Sequence, residues 1–122
     1  MPTKRPKRQH LAEGRAWRRT TDAVVIRDWG KCHICFHYGA KSADHIVPDT
    51  EGGKPTMDNL KAAHGLGSPC PDCSTAAQKP IYCNEIRGAM SVERARRRIR
   101  ELTRLPIEDP KTYRGPEGRD WD

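Results

Sequence analysis

The sequence predicts a small domain of the α+β class, and three observations lead to that prediction. The chain has 122 residues, which suits one domain with short tails. Only 34% of the residues are apolar, well below the roughly 45–50% of an ordinary globular protein. Local patterns predict short helices and short strands rather than a single repeated element. A large close-packed core is therefore excluded, and the fold needs a further source of stability.

The predicted elements follow from caps, periodicity and turn residues. A helix is expected over 21–29, between a capping threonine and Gly30. Apolar segments around a glycine predict a hairpin over 36–48, and turn formers predict a loop over 49–58. A helical turn is expected over 59–64 and irregular chain over 65–82. The clearest element is a helix over 91–105, capped by Ser91 and stopped by Pro106.

Cysteine spacing indicates a metal site. Four of the five cysteines form two C-x-x-C pairs, Cys32 with Cys35 and Cys70 with Cys73. Such pairs in a reducing compartment typically bind Zn²⁺, and two of them complete a tetrahedral site. A redox dithiol is disfavoured because neither pair lies in a βαβ pattern. Zinc binding would contribute the folding free energy that the thin core does not provide.

The net charge of +7 is concentrated in two segments. Residues 1–20 carry +6 and residues 93–104 carry +4, so the rest of the chain is negative. Clustered basic charge is typical of nucleic-acid binding, although solvated surface charge gives the same pattern. No apolar run exceeds four residues, so no membrane partner is expected and a cytoplasmic location is predicted.

One short segment carries the residue types that phosphodiester hydrolysis requires. Asp44 and His45 are adjacent at an expected strand end, where neighbouring side chains point to opposite faces. A neutral imidazole is a suitable general base near pH 7. Asp44 and Asn84 offer the oxygen ligands that a hard divalent cation prefers. Asn59 is a candidate for bracing the intervening loop or orienting His45.

These motifs, in this order, resemble the HNH endonucleases, also called ββα-metal or His-Me finger nucleases. The similarity covers roughly residues 17–88. The motifs that carry it are CHIC, the Asp44-His45 pair, Gly52-Gly53, N-L at 59–60, A-H at 63–64 and C-N-x-x-R-G at 83–88. The resemblance implies a small zinc-stabilised ββα-metal fold with flanking helices.

The resemblance also implies roles for individual residues. His45 would activate water, Asp44 and Asn84 would hold a catalytic Mg²⁺ or Mn²⁺, and Asn59 would position His45. Asn84 makes the chain an H-N-N variant, although a helix cap is another interpretation of this residue. DNA contacts are expected from the arm and the last helix, and from Arg87 unless it forms a salt bridge; these residues are Lys4, Arg5, Lys7, Arg8, Arg87, Arg94, Arg97 and Arg98.

The zinc ligands remain ambiguous because about 16 residues are inserted between His64 and Cys83 relative to the short family pattern. The family pattern gives Cys32 and Cys35 with His64 and Cys83. Each C-x-x-C turn is called a cysteine knuckle, the first at 32–35 and the second at 70–73. The insertion supplies the second knuckle, which gives the favoured set Cys32, Cys35, Cys70 and Cys73. His10, His33 and His37 are expected on the surface or behind the ligands, and Trp17 and Trp29 in the core.

The predicted organisation has three parts. A basic, disordered arm spans 1–16, a nuclease domain spans 17–105 with its insertion at 65–82, and a polar tail spans 106–122. The expected function is metal-dependent DNA cleavage, with a role in bacteriophage DNA packaging or processing beside the terminase implied by the family. The alternatives are a non-catalytic zinc-binding DNA-binding module and a terminase accessory protein.

Overall fold

The computed structural model describes residues 7–109, with side chains from residue 14 onward. Four α-helices and two strands follow one another within these residues, and two single-turn 3-10 helices, Asp49–Glu51 and Met57–Asn59, lie in the loop between the strands. The α-helices and strands are α1 (Lys7–Arg27), β1 (Ser42–His45), β2 (Leu60–Ala63), α2 (Pro71–Ala77), α3 (Cys83–Arg87) and α4 (Val92–Thr103). The chain is therefore a small α+β domain, as the sequence predicts.

Helix α1 begins well before the predicted start at residue 21. Residues 7–16, expected to be part of a disordered arm, are helical, whereas residues 1–6 lie outside the described part of the chain. The threonines expected to cap the helix lie inside it. Thr20 Oγ1 donates a hydrogen bond to the Ala16 carbonyl oxygen (3.0 Å), which is how a threonine is accommodated within a helix. The helix stops where Trp29 and Gly30 adopt positive φ angles.

The sheet pairs two segments that the sequence patterns did not pair. β1 runs antiparallel to β2, with Ser42 opposite Ala63 and His45 opposite Leu60. The hairpin expected within 36–48 is therefore wrong, and so is the helical turn over 59–64. The residues before β1 turn back on the first cysteine knuckle instead, where Cys32 N–H donates to the His37 carbonyl oxygen at 2.9 Å.

The helices after the sheet are partly as predicted. α4 confirms the helix expected over 91–105, and Ser91 Oγ accepts a hydrogen bond from Arg94 N–H (3.2 Å) as the expected cap. Helices α2 and α3 were not predicted, because each is only one or two turns long. The tail expected from residue 106 begins inside the domain, since Ile107 is buried; residues 110–122 lie outside the described part of the chain.

The core is small and rich in sulfur. Ile34, Leu60, Ile81 and Ile99 are buried together with all five cysteines. The cysteines therefore occupy core volume that aliphatic side chains fill in an ordinary domain.

Within residues 7–109, no helix is both long and apolar enough to cross a membrane.

Candidate metal centre and neighbouring polar site

The five cysteines and two histidines meet in the core as two groups of possible metal ligands. The first group contains Cys32, Cys35, His64 and Cys83, and the second contains Cys35, His37, Cys70 and Cys73. Within each group, all the ligand atoms lie within 4.8 Å of one another. Cys35 belongs to both groups. Thiolates and imidazoles in fours are the ligand set of structural zinc sites.

Of the two predicted sets of zinc ligands, one forms a single group in the structure and the other does not. The family-type set of Cys32, Cys35, His64 and Cys83 is brought together as one group. The favoured four-cysteine set is divided, since Cys32 falls in the first group and Cys70 and Cys73 fall in the second. The long insertion does not separate His64 from Cys83, because the Asn84 N–H donates to the His64 carbonyl oxygen at 3.0 Å and holds the two segments together.

His37 is a possible ligand that the sequence analysis placed on the surface or behind the ligands. Its Nδ1 lies 3.3 Å from Cys73 Sγ and 3.5 Å from Cys70 Sγ. Its position two residues after Cys35, as C-x-H, is the signal that a search for C-x-x-C pairs alone does not use. The knuckle therefore supplies a third side chain to the cluster.

The thiols of the cluster cannot all ionise without a cation. Burial acts to raise the pKa of Cys32, but hydrogen bonds with Cys35 and Cys83 lower it overall. The same contact with Cys32, followed by contacts with other cysteines and by burial, raises the pKa of Cys35. Negative charge on one buried thiolate thus disfavours ionisation of its neighbour. A bound dication would remove that conflict.

His64 responds to the same charge. Burial lowers its pKa, but hydrogen bonds with Cys32 and Cys70 and the charge of Cys32 outweigh burial and raise the pKa to about 10. Its Nε2 donates to the Tyr38 carbonyl oxygen at 2.9 Å. That bond leaves Nδ1 facing the sulfur atoms of Cys35 (3.4 Å) and Cys83 (3.6 Å). The ring is therefore oriented for coordination through Nδ1.

The predicted catalytic carboxylate of Asp44 lies beside the cluster and is already engaged by two side chains. Asp44 Oδ2 accepts a hydrogen bond from Arg87 Nη1 at 2.6 Å. It also lies 2.8 Å from His33 Nε2, which donates when it carries the ring proton. Both partners use Oδ2, so Oδ1 is the oxygen that remains for a cation.

Arg87 is buried, and its side chain donates hydrogen bonds within the fold. Its side chain is 4% exposed, and its guanidinium donates to Asp44 Oδ2 and to the carbonyl oxygens of His45, Ile46 and Met90. These bonds fasten α3 to the end of β1. The salt bridge considered as the alternative to a phosphate contact is therefore present.

His45 is partly exposed at the end of β1 and lies against an aromatic ring. Its imidazole stacks on the Trp17 indole, with centroids 5.7 Å apart and an interplanar angle of 13°. Trp17 is 40% exposed and Trp29 is 84% exposed, so the prediction that both tryptophans belong to the core is wrong. α1 places Trp17 beside the end of β1, where its ring meets the imidazole of His45.

Asn59 braces the loop that follows His45. Its Oδ1 accepts from Val47 N–H (2.8 Å), and its Nδ2 donates to the carbonyl oxygens of Val47 (3.1 Å) and Lys54 (2.9 Å). Gly53 is required for this closure, because a Cβ there would lie 1.7 Å from the Val47 carbonyl oxygen. The loop-bracing role considered for Asn59 therefore agrees with its contacts, and its amide acts on the backbone beside His45.

Asn84 occupies the first turn of α3, with Tyr82 as the N-cap residue instead. Its Oδ1 is buried and has no hydrogen-bond partner among the described residues. A buried amide oxygen without a partner costs free energy unless a ligand satisfies it. Asn84 Nδ2 and the Ser42 side chain both lie close to Gly65, and Ser42 shares a strand face with Asp44. A carboxylate and a buried amide oxygen without a described partner are the ligand types of a hard cation, so the chemistry of Asp44 and Asn84 fits a divalent cation.

The arginines of α4 divide into two kinds. Arg96 donates to the carbonyl oxygens of His33 (2.7 Å) and Ile34 (3.1 Å), and Arg100 donates to that of Ile107 (2.9 Å), so both stabilise the fold. The three arginines expected to bind DNA are exposed and line a groove of about 640 Å³; they are Arg94, Arg97 and Arg98. Of the expected arm contacts, Lys4 and Arg5 lie outside the described residues, and Lys7 and Arg8 are described only in their backbone.

Comparison with known proteins finds no matching family model, no matching curated protein and no matching solved structure. The resemblance to the HNH endonucleases is therefore carried by the motifs of the sequence alone. What the geometry adds is a cysteine–histidine cluster with the composition of a zinc site and a polar site beside it.

Proposed function

We propose that this chain is a metal-dependent endonuclease that hydrolyses DNA phosphodiester bonds and has a zinc-stabilised ββα fold. The observation that carries the proposal is the arrangement of β1, β2 and α3. Asp44 and His45 end β1, Asn59 precedes β2, and Asn84 lies on α3, which Arg87 fastens to β1. The four candidate residues thus come from three segments that the β1–β2 pairing and the Arg87 hydrogen bonds join.

His45 would act as the general base. A neutral imidazole at the end of β1 accepts a proton from water as that water attacks phosphorus. Stacking on Trp17 restricts the ring, and the Arg87 bond to the His45 carbonyl oxygen fixes the backbone that carries it. Asn59 fixes the next residues, so the imidazole is presented from a braced strand end rather than from a mobile loop.

Asp44 and Asn84 would hold the cation. A divalent Mg²⁺ or Mn²⁺ supplies charge neutralisation at the phosphate and stabilises the leaving oxygen. Arg87 and His33 orient the Asp44 carboxylate through Oδ2, as outer residues commonly do for metal-binding carboxylates. Asn84 Oδ1, which has no other described partner, gains one when a cation binds.

DNA affinity would come from the exposed basic residues of α4 together with the basic N-terminal segment. Contacts to phosphates by lysine and arginine release counterions, so the affinity falls steeply with salt and depends little on sequence. Met90 joins the two regions, because it lines both the groove beside Arg94 and Arg97 and the surface next to Ile46 and Val47. A DNA duplex bound by the exposed arginines of α4 would therefore pass close to the end of β1.

A non-catalytic DNA-binding module is the second candidate, and one observation favours it. The bonds from Arg87 and His33 to Asp44 already compensate this carboxylate in the absence of a cation. A chain that only binds DNA would keep such a network for stability. An accessory role beside a terminase is a form of this second candidate and would show as co-purification with a terminase subunit.

Plasmid nicking tests the proposal. The wild-type protein should nick supercoiled DNA with Mg²⁺ or Mn²⁺ and lose that activity with EDTA, since the base needs the cation beside it. His45→Ala should lower the rate at least about 100-fold, while zinc content and DNA affinity remain at the wild-type level. His10→Ala is the matched control and should cleave normally. Nicking by His45→Ala at the wild-type rate would contradict the mechanism, and binding without any cleavage by the wild type would favour the second candidate.

A further inference from the structure

The cluster holds seven possible ligand atoms, which is more than one tetrahedral ion can use. Two tetrahedral ions need eight ligand positions, and seven atoms fill them only if one thiolate bridges both ions. Five cysteines and two histidines supply seven atoms, and Cys35 is the residue shared by the two groups. We propose that the chain binds two Zn²⁺ ions in one cluster bridged by the Cys35 thiolate, whether or not it is a nuclease.

The separations between ligand atoms agree with two tetrahedral ions. Zinc bonds of about 2.3 Å to sulfur and 2.0–2.1 Å to nitrogen place tetrahedral neighbours about 3.8 Å apart for two sulfurs and about 3.5 Å apart for sulfur and nitrogen. In the first group, His64 Nδ1 lies 3.4 Å from Cys35 Sγ and 3.6 Å from Cys83 Sγ. Both separations match those of a tetrahedral zinc site, and all four ligand atoms of this group lie within 4.8 Å of one another.

The second group shows the same spacing. Cys35 Sγ lies 3.8 Å from Cys70 Sγ, and His37 Nδ1 lies 3.5 Å from Cys70 Sγ and 3.3 Å from Cys73 Sγ. The Cys73 N–H donates to Cys70 Sγ at 3.3 Å, which stabilises a thiolate there. Cys70 is the N-cap residue of the short helix α2 and Cys73 lies in its first turn, so both sulfurs face His37.

A single ion leaves part of the cluster unexplained. A zinc in the first group would leave Cys70, Cys73 and His37 facing one another without a cation, although both cysteines are fully buried. A zinc in the second group would leave Cys32, Cys83 and the buried His64 in the same condition. With two dications all five cysteines bind metal as thiolates, whereas a single ion leaves two of them as buried thiols without a metal partner.

The inserted segment thereby gains a role. The family-type ligands close the first site without help from residues 65–82, so the insertion is not needed for a one-zinc domain. Its two cysteines instead attach α2 to the same core through the second ion. The cluster would hold four separate parts of the chain together: the first knuckle, His64, the insertion and the start of α3.

Metal stoichiometry of the full-length wild-type protein is the first test. Native mass spectrometry with elemental analysis should find two zinc ions per chain. After exchange with ¹¹³Cd²⁺, NMR should show two resonances coupled to each other through the bridging sulfur. One zinc per chain at saturation would overturn the proposal, as would two uncoupled cadmium signals, a Cys35–Cys70 disulfide, or iron with acid-labile sulfide.

Substitutions separate the two ions. His37→Ala and Cys73→Ser remove ligands that only the second ion uses, so each should lower the count from two zinc ions to one and abolish the cadmium coupling. His45→Ala, outside both groups, is the matched control and should keep two coupled ions. Two retained ions in both ligand variants would overturn the assignment. If a variant does not fold, the wild-type count and coupling still decide the question.

Discussion

Replacing Arg87 with alanine should destabilise the domain strongly without a specific effect on DNA affinity. The guanidinium is buried, and it makes an ion pair with Asp44 and hydrogen bonds to three carbonyl oxygens. Removing one partner of a buried ion pair costs about 3–5 kcal/mol, because the other charge is left uncompensated. The carbonyl oxygens of His45, Ile46 and Met90 lose their donor in the same step.

The assay is thermal unfolding followed by circular dichroism at a fixed free zinc concentration, so that metal loss does not vary between samples. For a domain of this size, 1 kcal/mol corresponds to a shift in Tm of about 4–8 °C. Arg87→Ala should therefore lower Tm by more than about 12 °C. Arg97→Ala is the matched control, since Arg97 is exposed on α4 and should shift stability by no more than about 0.5 kcal/mol.

In a DNA-binding assay the order of the two effects should be reversed, with the larger change for Arg97→Ala. At a temperature where both are folded, Arg97→Ala should weaken DNA binding and reduce its salt dependence, while Arg87→Ala should leave both unchanged. A shift in Tm below about 4 °C for Arg87→Ala, combined with weaker DNA binding by the folded variant, would refute the structural role of Arg87 and restore the phosphate contact that the motif suggested.

Two further substitutions test the hydrogen bonds of Asp28 and the close packing of Gly53. Asp28 accepts hydrogen bonds from Arg27 and from Ala62 N–H (2.9 Å), and although burial opposes them these bonds lower its pKa below the usual value. Its contribution is therefore complete above its unfolded pKa of about 3.9 and is lost only as the pH falls through its lower folded value. Asp28→Asn should lower stability by about 1–2 kcal/mol, equally at pH 5 and pH 8 by thermal unfolding, and a cost that fades across that range would contradict the assignment. Gly53→Ala places a Cβ against the backbone of Val47 and should cost about 1–3 kcal/mol by the same measurement. Gly14→Ala, which meets nothing within 4 Å, is its control, and equal behaviour of the two glycine variants would refute the close packing of the loop.

The elements that the sequence predicted well are those with strong local signals. The helix over 91–105 has a serine cap, a regular apolar spacing and a terminating proline, and α4 follows it closely. The pairing of β1 with β2 has no local signal, because the two strands are separated by 14 residues and neither is longer than four residues. The pairing joins segments that are distant in the sequence, so a search for short local hairpins does not find it.

The same division applies to the site. The spacing of Cys32 and Cys35 and the thin apolar composition predicted a metal-stabilised core, because two thiols at that spacing converge whatever surrounds them. The role of Arg87 depends on its burial, and burial is set by the packing of α3 against β1. A motif identifies the residue type but does not say whether the side chain faces solvent or the protein.

By itself, the sequence determined that this chain is a small α+β domain whose cysteines compensate for a thin core. The tertiary structure decided how the ligands are grouped. It brought His37 into the cluster, divided the expected four cysteines between two groups and made Cys35 common to both. The physical reason is that coordination depends on distances of a few ångströms between side chains from segments far apart in the chain. Sequence spacing fixes such distances only within a single turn.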